Sequence, residues 1–313
     1  MAEPPYGVIW NRLKAGRVVP FLGAGASVGH RPADAAWRAQ QPEFLPSGAE
    51  LATLLANEAR YPSNDDVDRR DLAKVSSYYG DVAGRRALRE RLRDVFLHEF
   101  SPGPVHRLLA AVPHPLLIVA TNYDTLMEQA FREAGRPYEL VIHSADRKGL
   151  AGSVLWWPHG EPEPRPVEPS ELDRHIDLDT ATVLYKMHGS VVAKGSEWDN
   201  FVITEEDYVD FLSRMSANQA VPAMFYSHCR DRSLLFLGYS LRDWNLRVIL
   251  KNLNKAFSRH ATGDDDDRVP SWAIQSHPSE LESRLWEKRN VTIFDLDIDA
   301  FADKLLAETG LPK

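Results

Sequence analysis

Cysteine is nearly absent from this chain of 313 residues, whose one thiol belongs to Cys229. A single cysteine excludes a disulfide within the chain and a zinc site built from several thiolates. Long apolar runs are also missing, since none approaches the roughly 18 residues needed to span a bilayer. Residues 1–5 show no basic region followed by an apolar core, so no secretory signal is predicted. We therefore expect a cytoplasmic protein without membrane contact.

Basic residues are fewer than acidic residues as well. The chain has 37 Lys and Arg residues against 45 Asp and Glu residues, a formal net charge of −8. This balance argues against a broad basic face, so direct binding of nucleic acid is not expected. Several arginines do lie close together on one predicted helix, and we interpret them as its solvated flank: they are Arg85, Arg86, Arg89, Arg91 and Arg93.

A short apolar run, Val18–Leu22, leads into the small residues of Gly23–Ser27. Such a turn, placed between a strand and a helix, lets the backbone approach a diphosphate whose charge the N–H groups stabilise. A side chain at Gly25 is expected to fill the space where phosphate approaches. The dinucleotide fingerprint G-x-G-x-x-G is incomplete because Val28 takes its sixth position, so a plain tight turn remains the alternative. Pro20 removes a hydrogen-bond donor from the predicted strand.

Apolar segments of strand length alternate with helical segments along the chain. This order predicts one α/β domain over residues 1–313, a Rossmann-like, doubly wound and mostly parallel sheet with an inserted helical module. Residues 144–180, rich in Pro and Glu, are predicted as an insertion without regular structure, either a lid or partner surface or a disordered loop. The other predicted parts are the sheet core at about 17–35, 113–145, 180–195 and 231–313, the helical module at about 47–112, and a helical segment at about 204–230.

Polar and glycine motifs follow several of the predicted strands. In parallel sheets ligands bind at the carboxyl ends of the strands, so these motifs predict one common site. The motifs are Phe21–Ser27 (FLGAGAS), Thr121–Asp124 (TNYD), Lys186–Ser190 (KMHGS) and Leu237–Asp243 (LGYSLRD). In this order they resemble the sirtuin-like superfamily, above all its prokaryotic branch that consumes NAD in antiphage defence. The resemblance covers residues 17–145 and 180–296.

The resemblance implies that NAD is the substrate. In that family the glycine turn holds the diphosphate, the Asn and His of the middle motifs lie beside the nicotinamide ribose, and the last turn contacts phosphate and the adenosine ribose. The implied catalytic residues are therefore Asn122 and His188. The implied binding residues are Gly23, Ala24, Gly25, Ala26, Ser27, Asp124, Gly238 and Ser240. Asp124 and Ser240 are also placed to cap the helices that follow them.

Two departures from the deacetylase pattern are visible. The residues after the glycine turn, Gly29–Asp34, do not match the Pro-Asp-Phe-Arg loop of deacetylases, and one cysteine cannot supply their four-cysteine zinc module. We therefore expect no zinc, and we disfavour deacylation.

The residue types fit cleavage of the nicotinamide–ribose bond. Asn122 offers a carbonyl and an amide to bind a ribose hydroxyl and orient water. His188, with a titration range near neutral pH, is predicted to take the proton; the alternative is a buried histidine bonded to a backbone carbonyl. The predicted function is an NAD⁺ glycohydrolase that depletes cellular NAD⁺. The alternatives are a non-catalytic module that binds NAD or ADP-ribose, and a protein deacylase or ADP-ribosyltransferase.

Nothing in the sequence identifies an activating signal. We expect control by homo-oligomerisation, by residues 144–180 or by a separate protein, for which the resemblance suggests a DNA-translocase ATPase or an Argonaute-like protein. The acidic run Asp264–Asp267 is predicted as a solvated loop, with cation binding as the alternative.

Overall fold

The computed structural model describes residues 3–29, 31, 35–144, 152–193, 195–216, 220–239 and 269–309. The strands are β1 (Val18–Leu22), β2 (Leu117–Ala120), β3 (Glu139–His143), β4 (Val154–Trp157), β5 (Arg165–Val167), β6 (Val183–Lys186), β7 (Gly189–Ser190), β8 (Asn200–Phe201), β9 (Ser233–Leu237), β10 (Ser271–Gln275) and β11 (Val291–Asp295). The helices are α1 (Tyr6–Lys14), α2 (Gly48–Glu58), α3 (Asp66–Arg69), α4 (Leu72–Ala83), α5 (Arg85–Phe96), α6 (Pro104–Ala111), α7 (Leu126–Glu133), α8 (Glu205–Ser216), α9 (Ala223–Arg230), α10 (Glu280–Glu287) and α11 (Ile298–Thr309).

One large sheet organises the chain, with strand order β11-β10-β9-β1-β2-β6-β3-β4-β5. All pairs from β11 to β3 are parallel, and only β4 and β5 add antiparallel strands at one edge. The predicted fold class, a Rossmann-like and mostly parallel α/β sheet, is confirmed. Strand β1 lies between β9 and β2, with Phe21 opposite Val119 of β2 and opposite Phe236 of β9.

Pro20 fits into β1 because of the direction in which its nitrogen points. The N–H of Gly23 donates to Leu237 of β9, and the carbonyl of Leu22 accepts from Thr121 beyond β2. Since these groups alternate along a strand, the nitrogen of Pro20 faces β2. Pairing between β1 and β2 begins only at Phe21, so the missing donor of Pro20 affects only this short ladder, while the pairing with β9 is continuous over Val18–Leu22.

Side chains alternate between two apolar layers, one on each face of the sheet. Val19 and Phe21 pack in one layer with α8, α9 and α10, whereas Val18 and Leu22 pack in the other with α1, α6, α7 and α11. Strands buried on both faces must be apolar at every position, which is why their sequences lack alternation. Helices on both faces make the sheet doubly wound.

A third apolar cluster belongs to the helical module, which consists of α2 to α5. Ser47 and Glu50 form a capping box that starts α2, an arrangement that typically stabilises a helix by about 1 kcal/mol. The module packs onto Tyr123, Val191 and Phe201, all close to the carboxyl ends of the strands. The predicted module reached residue 112, but α6 packs in the sheet layer of α7 and α11 instead.

Two of the clustered arginines attach the module to the chain that follows β6. Arg85 binds Asp207 of α8 at 2.6 Å, and Arg93 binds Asp199 at 2.8 Å and the carbonyl of Val192 at 2.9 Å. Asp199 is buried. These two arginines therefore make internal contacts, and the interpretation of all five as a solvated flank is wrong for them.

Residues 144–180 differ most from the prediction. They contribute β4 and β5 to the sheet, and Leu172, Ile176 and Leu178 are buried in its core. The expectation of an insertion without regular structure is wrong for residues 152–180. Pro166 lies in the edge strand β5, a place where a proline costs no ladder bond.

Some predicted features lie outside the described residues, namely Ser240, the helix that it was expected to cap and the acidic run 264–267. Among the helices that the structure does describe, none combines the length and apolar character required to cross a bilayer.

Candidate functional site

The turn after β1 packs directly against the turn after β9. The N–H of Gly25 donates to the carbonyl oxygen of Gly238 at 2.8 Å, and Gly238 has a φ of +71°, which favours glycine. A Cβ atom on Gly25 would lie 2.7 Å from that carbonyl oxygen, and one on Gly238 would overlap the backbone nitrogen of Ala26. The expectation that Gly25 keeps a space open for phosphate is therefore wrong, since the backbone of Gly238 fills that space.

A chain of hydrogen bonds joins the glycine turn to the turn after β2. The amide nitrogen of Asn122 donates to the carbonyl of Gly23 at 2.9 Å and to the hydroxyl of Ser27 at 2.6 Å. The Ser27 hydroxyl donates in turn to Asp124 Oδ2 at 2.6 Å, and Asp124 Oδ1 accepts from the N–H of Leu126 at 3.0 Å. Asp124 thus binds the first N–H of α7 and also anchors Ser27, but the N-cap position of this helix is Thr125 and not Asp124 as expected.

Asn122 is left with an unused acceptor. Its orientation is fixed because the carbonyl of Gly23 can only accept, so the group facing it must be the amide nitrogen. Among the described residues, Asn122 Oδ1 is buried and has no hydrogen-bond partner. An unpaired buried oxygen costs about 1–3 kcal/mol, so a ligand or water that donates to it is favoured.

His188 lies just beyond β6 in an apolar setting. Its ring packs edge-on against Tyr208 and Phe211, with centroids 5.5 and 5.4 Å away. Burial, reinforced by the neighbouring His143, lowers the pKa of His188 to about 3. The expected titration near neutral pH is therefore wrong. In the described part of the chain, His188 Nε2 also lacks a hydrogen-bond partner, so the alternative of a bond from this nitrogen to a backbone carbonyl does not hold.

Most of the predicted site residues border one cavity of about 250 Å³ at the carboxyl ends of β1, β2, β6 and β9. One wall of this cavity carries the polar side chains of the predicted site and is formed by Ala24, Ser27, Asn122, Asp124, His188 and Gly238. Gly23, Gly25 and Ala26 lie behind this wall, and Ser240 lies outside the described residues. The volume is slightly below the roughly 300–1,000 Å³ of typical ligand pockets.

The opposite wall of the cavity was missed by sequence reasoning. Tyr208 of α8 contributes to it, and Tyr239 adds a ring whose hydroxyl bonds Thr121 Oγ1 at 3.2 Å. The helical module supplies Leu45, Pro46, Gly48, Leu51, Leu72 and Phe96. Apolar periodicity shows that such residues are buried but not that they border a cavity, so only the tertiary structure reveals them.

Three histidines with lowered pKa values predict that the protein loses stability in mild acid. Burial lowers the pKa of His143 and that of His228 to about 4, and that of His188 to about 3, whereas histidine titrates near 6.5 in an unfolded chain. The unfolded state then binds protons that the native state does not. The free energy of unfolding is therefore highest above about pH 6.5 and falls toward pH 4, by at most about 1.4 kcal/mol per pH unit for each histidine.

Urea unfolding at several values between about pH 7.5 and pH 5 measures this slope, in a range where most carboxylates stay ionised. His188→Ala should make the slope shallower, because one of the three histidines with a lowered pKa is gone. His98 is exposed, so His98→Ala should keep the wild-type slope and serves as the matched control. Equal slopes in wild type and His188→Ala would contradict the buried neutral state.

Comparison of the sequence with known proteins identifies a matching family and several relatives. A model of the SIR2-like domain matches residues 116–294, from the start of β2 into β11. Defense-associated sirtuin 2 of Bacillus subtilis is 20% identical over 237 residues, which are 75% of this chain and 20% of that protein. The NAD(+) hydrolase ThsA of Acinetobacter baumannii is 27% identical over 206 residues, which are 63% of this chain and 34% of that protein. The ThsA of Enterococcus faecium is 26% identical over 243 residues, 77% and 41% of the two chains.

These relatives are longer proteins, of whose lengths this chain spans between a fifth and about two fifths. Among solved structures, a Sir2 homologue in complex with NAD is similar with a TM-score of 0.36 and 13% identity, over 97% of this chain and 93% of that one. A score this low carries no argument about a ligand. The family model itself covers more than half of the 313 residues and contains the TNYD and KMHGS motifs. The resemblance to prokaryotic sirtuin-like defence proteins is confirmed, and the chain belongs to the SIR2-like domain family.

Proposed function

We propose that this chain cleaves NAD⁺ at the nicotinamide–ribose bond, giving nicotinamide and ADP-ribose. The observation that carries the proposal is a pair of buried polar atoms in one cavity, Asn122 Oδ1 and His188 Nε2, that have no partner among the described residues. They come from neighbouring strands whose carboxyl ends form the usual ligand crevice of such sheets. Relatives named NAD(+) hydrolase ThsA support the same substrate.

The chemistry requires little acid catalysis. NAD⁺ and water give nicotinamide, ADP-ribose and one proton, and nicotinamide leaves as a neutral molecule from a cationic ring. Positive charge develops on the ribose in the transition state, as in other glycosidic cleavages. Asn122 Oδ1 is suited to accept a hydrogen bond from the attacking water or from a ribose hydroxyl. Its amide nitrogen is held by Gly23 and Ser27, so the oxygen is fixed before substrate arrives.

His188 is proposed as the acceptor for the proton of the water. Its pKa of about 3 keeps the ring neutral at pH 7, so it does not add a positive charge beside a cationic substrate. A base this weak orients the water first. It takes the proton only as the new carbon–oxygen bond forms, when the bound water has become strongly acidic.

The biological role is proposed from the relatives. A relative named as a defence-associated sirtuin suggests an effector that depletes cellular NAD⁺. Activation through homo-oligomerisation or through a separate protein, such as a DNA-translocase ATPase or an Argonaute-like protein, remains part of the proposal, as do a cytoplasmic location and the absence of zinc. Among the described residues no cluster of three His, Cys, Asp or Glu side chains has the geometry of a metal site.

The purified protein, with its activating partner where one is needed, should release nicotinamide from NAD⁺ in the absence of any acyl-peptide. Chromatography of the products after incubation measures this directly. Nicotinamide that appears only with an acetyl-lysine peptide would favour deacylation. Tight binding of NAD⁺ or ADP-ribose without any product would favour the non-catalytic module.

A further inference from the structure

A buried lysine lies behind the site, two residues before His188. Lys186 ends β6 and is 1% exposed. Its ammonium group donates a hydrogen bond to the backbone carbonyl oxygen of Asp124. It also lies 3.6 Å from Oε1 of Glu128 on α7, a side chain that is 3% exposed. Lys186 therefore connects β6 to two places: to α7 through the ion pair, and to the turn that carries Asn122 through the hydrogen bond.

The contacts of Asp124 show that Lys186 helps to fix the turn at residues 122–125. The side chain of Asp124 is fixed by Ser27 and by the N–H of Leu126, at 2.6 and 3.0 Å. Its backbone carbonyl is fixed by Lys186. Asn122 bonds the same Ser27 hydroxyl. The turn at residues 122–125 is therefore clamped on two sides, and Lys186 supplies the clamp on the side away from the glycine turn.

Stability alone does not account for a charged pair at this depth. Burial raises the pKa of the Glu128 carboxyl while Lys186 opposes that shift, so each group offsets the cost of burying the other. An apolar pair of similar volume is often as stable as a buried ion pair. What an apolar pair lacks is a donor for the carbonyl oxygen of Asp124.

We propose that Lys186 is a positioning residue that holds the turn at 122–125 in its active geometry, with Glu128 as its counter-ion. The inference rests on the proposed cleavage of NAD⁺. Lys186 is not among the residues that line the cavity, and it acts through Asp124 on the placement of Asn122 Oδ1. Supporting residues of this kind typically change activity by about 10- to 100-fold.

Three variants separate positioning from stability. Lys186→Met removes the donor and leaves Glu128 without its cation, so both the melting temperature and kcat should fall, kcat by about 10- to 100-fold. Glu128→Gln keeps the donor, so kcat per folded molecule should stay within about threefold of wild type even though the melting temperature falls. The double variant Lys186→Met/Glu128→Gln has no buried charge, so it should regain melting temperature but not kcat.

Lys304→Met is the matched control, since it removes a lysine whose ion pair with Glu3 lies on the surface. Its kcat and melting temperature should match wild type. A purely structural role for Lys186 predicts instead that the double variant regains kcat together with stability. That result, or an unchanged kcat in Lys186→Met, overturns the proposal.

Hydrogen exchange provides a readout that does not depend on catalysis. The amide of Leu126 is protected by Asp124 Oδ1, so Lys186→Met should speed exchange of the peptide that spans residues 121–126. Lys304→Met should leave that peptide unchanged. If wild type does not cleave NAD⁺, the proposed function fails while exchange still tests the clamp. Unchanged exchange in Lys186→Met overturns the clamp whatever the activity.

Discussion

Asn122→Ala and His188→Ala should each slow NAD⁺ cleavage by about 10²–10⁴-fold. The reason is that Asn122 Oδ1 and His188 Nε2 are buried in one cavity and have no hydrogen-bond partner within the described part of the chain, so a bound ligand or water is proposed to engage both. Contacts with the attacking water strengthen as it loses its proton, so their loss lowers kcat more than it weakens substrate binding.

The effects of the two substitutions on the rate of cleavage should also not be additive. If Asn122 orients the water whose proton His188 takes, they act as a unit, and the double variant should be little slower than the slower single variant. The affinity for NAD⁺ should fall much less than the rate, because the proposed contact with the diphosphate belongs to the turn at Gly23–Ser27. Single-turnover cleavage and calorimetric titration on the same preparations measure both quantities.

His143 provides the matched control for His188. Both rings are buried and both pack edge-on against Phe211, at 5.0 and 5.4 Å, but only His188 borders the cavity. His143→Ala should therefore lower the melting temperature without slowing cleavage per folded molecule. A stable and fully active His188→Ala protein would contradict the mechanism.

The core of the sheet was predictable from sequence. Strand β1 is predicted and observed over the same residues, because a continuous apolar run bounded by polar or glycine residues indicates a strand that is buried on both faces. The gathering of Asn122, Asp124 and His188 was predictable for a related reason. Each follows a parallel strand, and the carboxyl ends of such strands meet at one edge of the sheet.

The edge of the sheet was not predictable in the same way. β4 and β5 are short and antiparallel, and they lie among prolines and glutamates that are typical of loops. Their pairing depends on β3, so local sequence carries little of the signal. The apolar wall of the cavity was missed for a similar reason, since Leu72 and Phe96 follow the same helical pattern as any core residue.

The electrostatic state of the site also required the structure. A histidine in a sequence has a pKa near 6.5 until its surroundings are known. Only the packing of Tyr208 and Phe211 around His188 reveals that its neutral form is strongly favoured. Likewise, the sequence offers both ends of the Asn122 amide, and the structure shows that the nitrogen is already engaged by Gly23 and Ser27.

Ala24→Val and Gly25→Val should affect different properties although the two residues are neighbours in the glycine turn. The first should weaken NAD⁺ binding, and the second should lower the stability of the fold. Ala24 is exposed and borders the cavity, so a larger side chain there should reach into the space proposed for the diphosphate. We expect Ala24→Val to weaken NAD⁺ binding by roughly 10- to 100-fold, the equivalent of the usual overpacking cost of about 1–3 kcal/mol. Its melting temperature should stay close to that of wild type.

Gly25→Val should instead disrupt the fold. Its Cβ atom would lie 2.7 Å from the carbonyl oxygen of Gly238, and that backbone cannot yield without separating the turns after β1 and β9. The expected loss in free energy of unfolding is about 3 kcal/mol or more, at the upper end of overpacking costs. Urea unfolding and calorimetric titration of both variants measure stability and affinity side by side, with Gly25→Ala as a milder form if Gly25→Val does not fold. A Gly25→Val protein with wild-type stability and no NAD⁺ binding would restore the explanation that this glycine leaves room for phosphate.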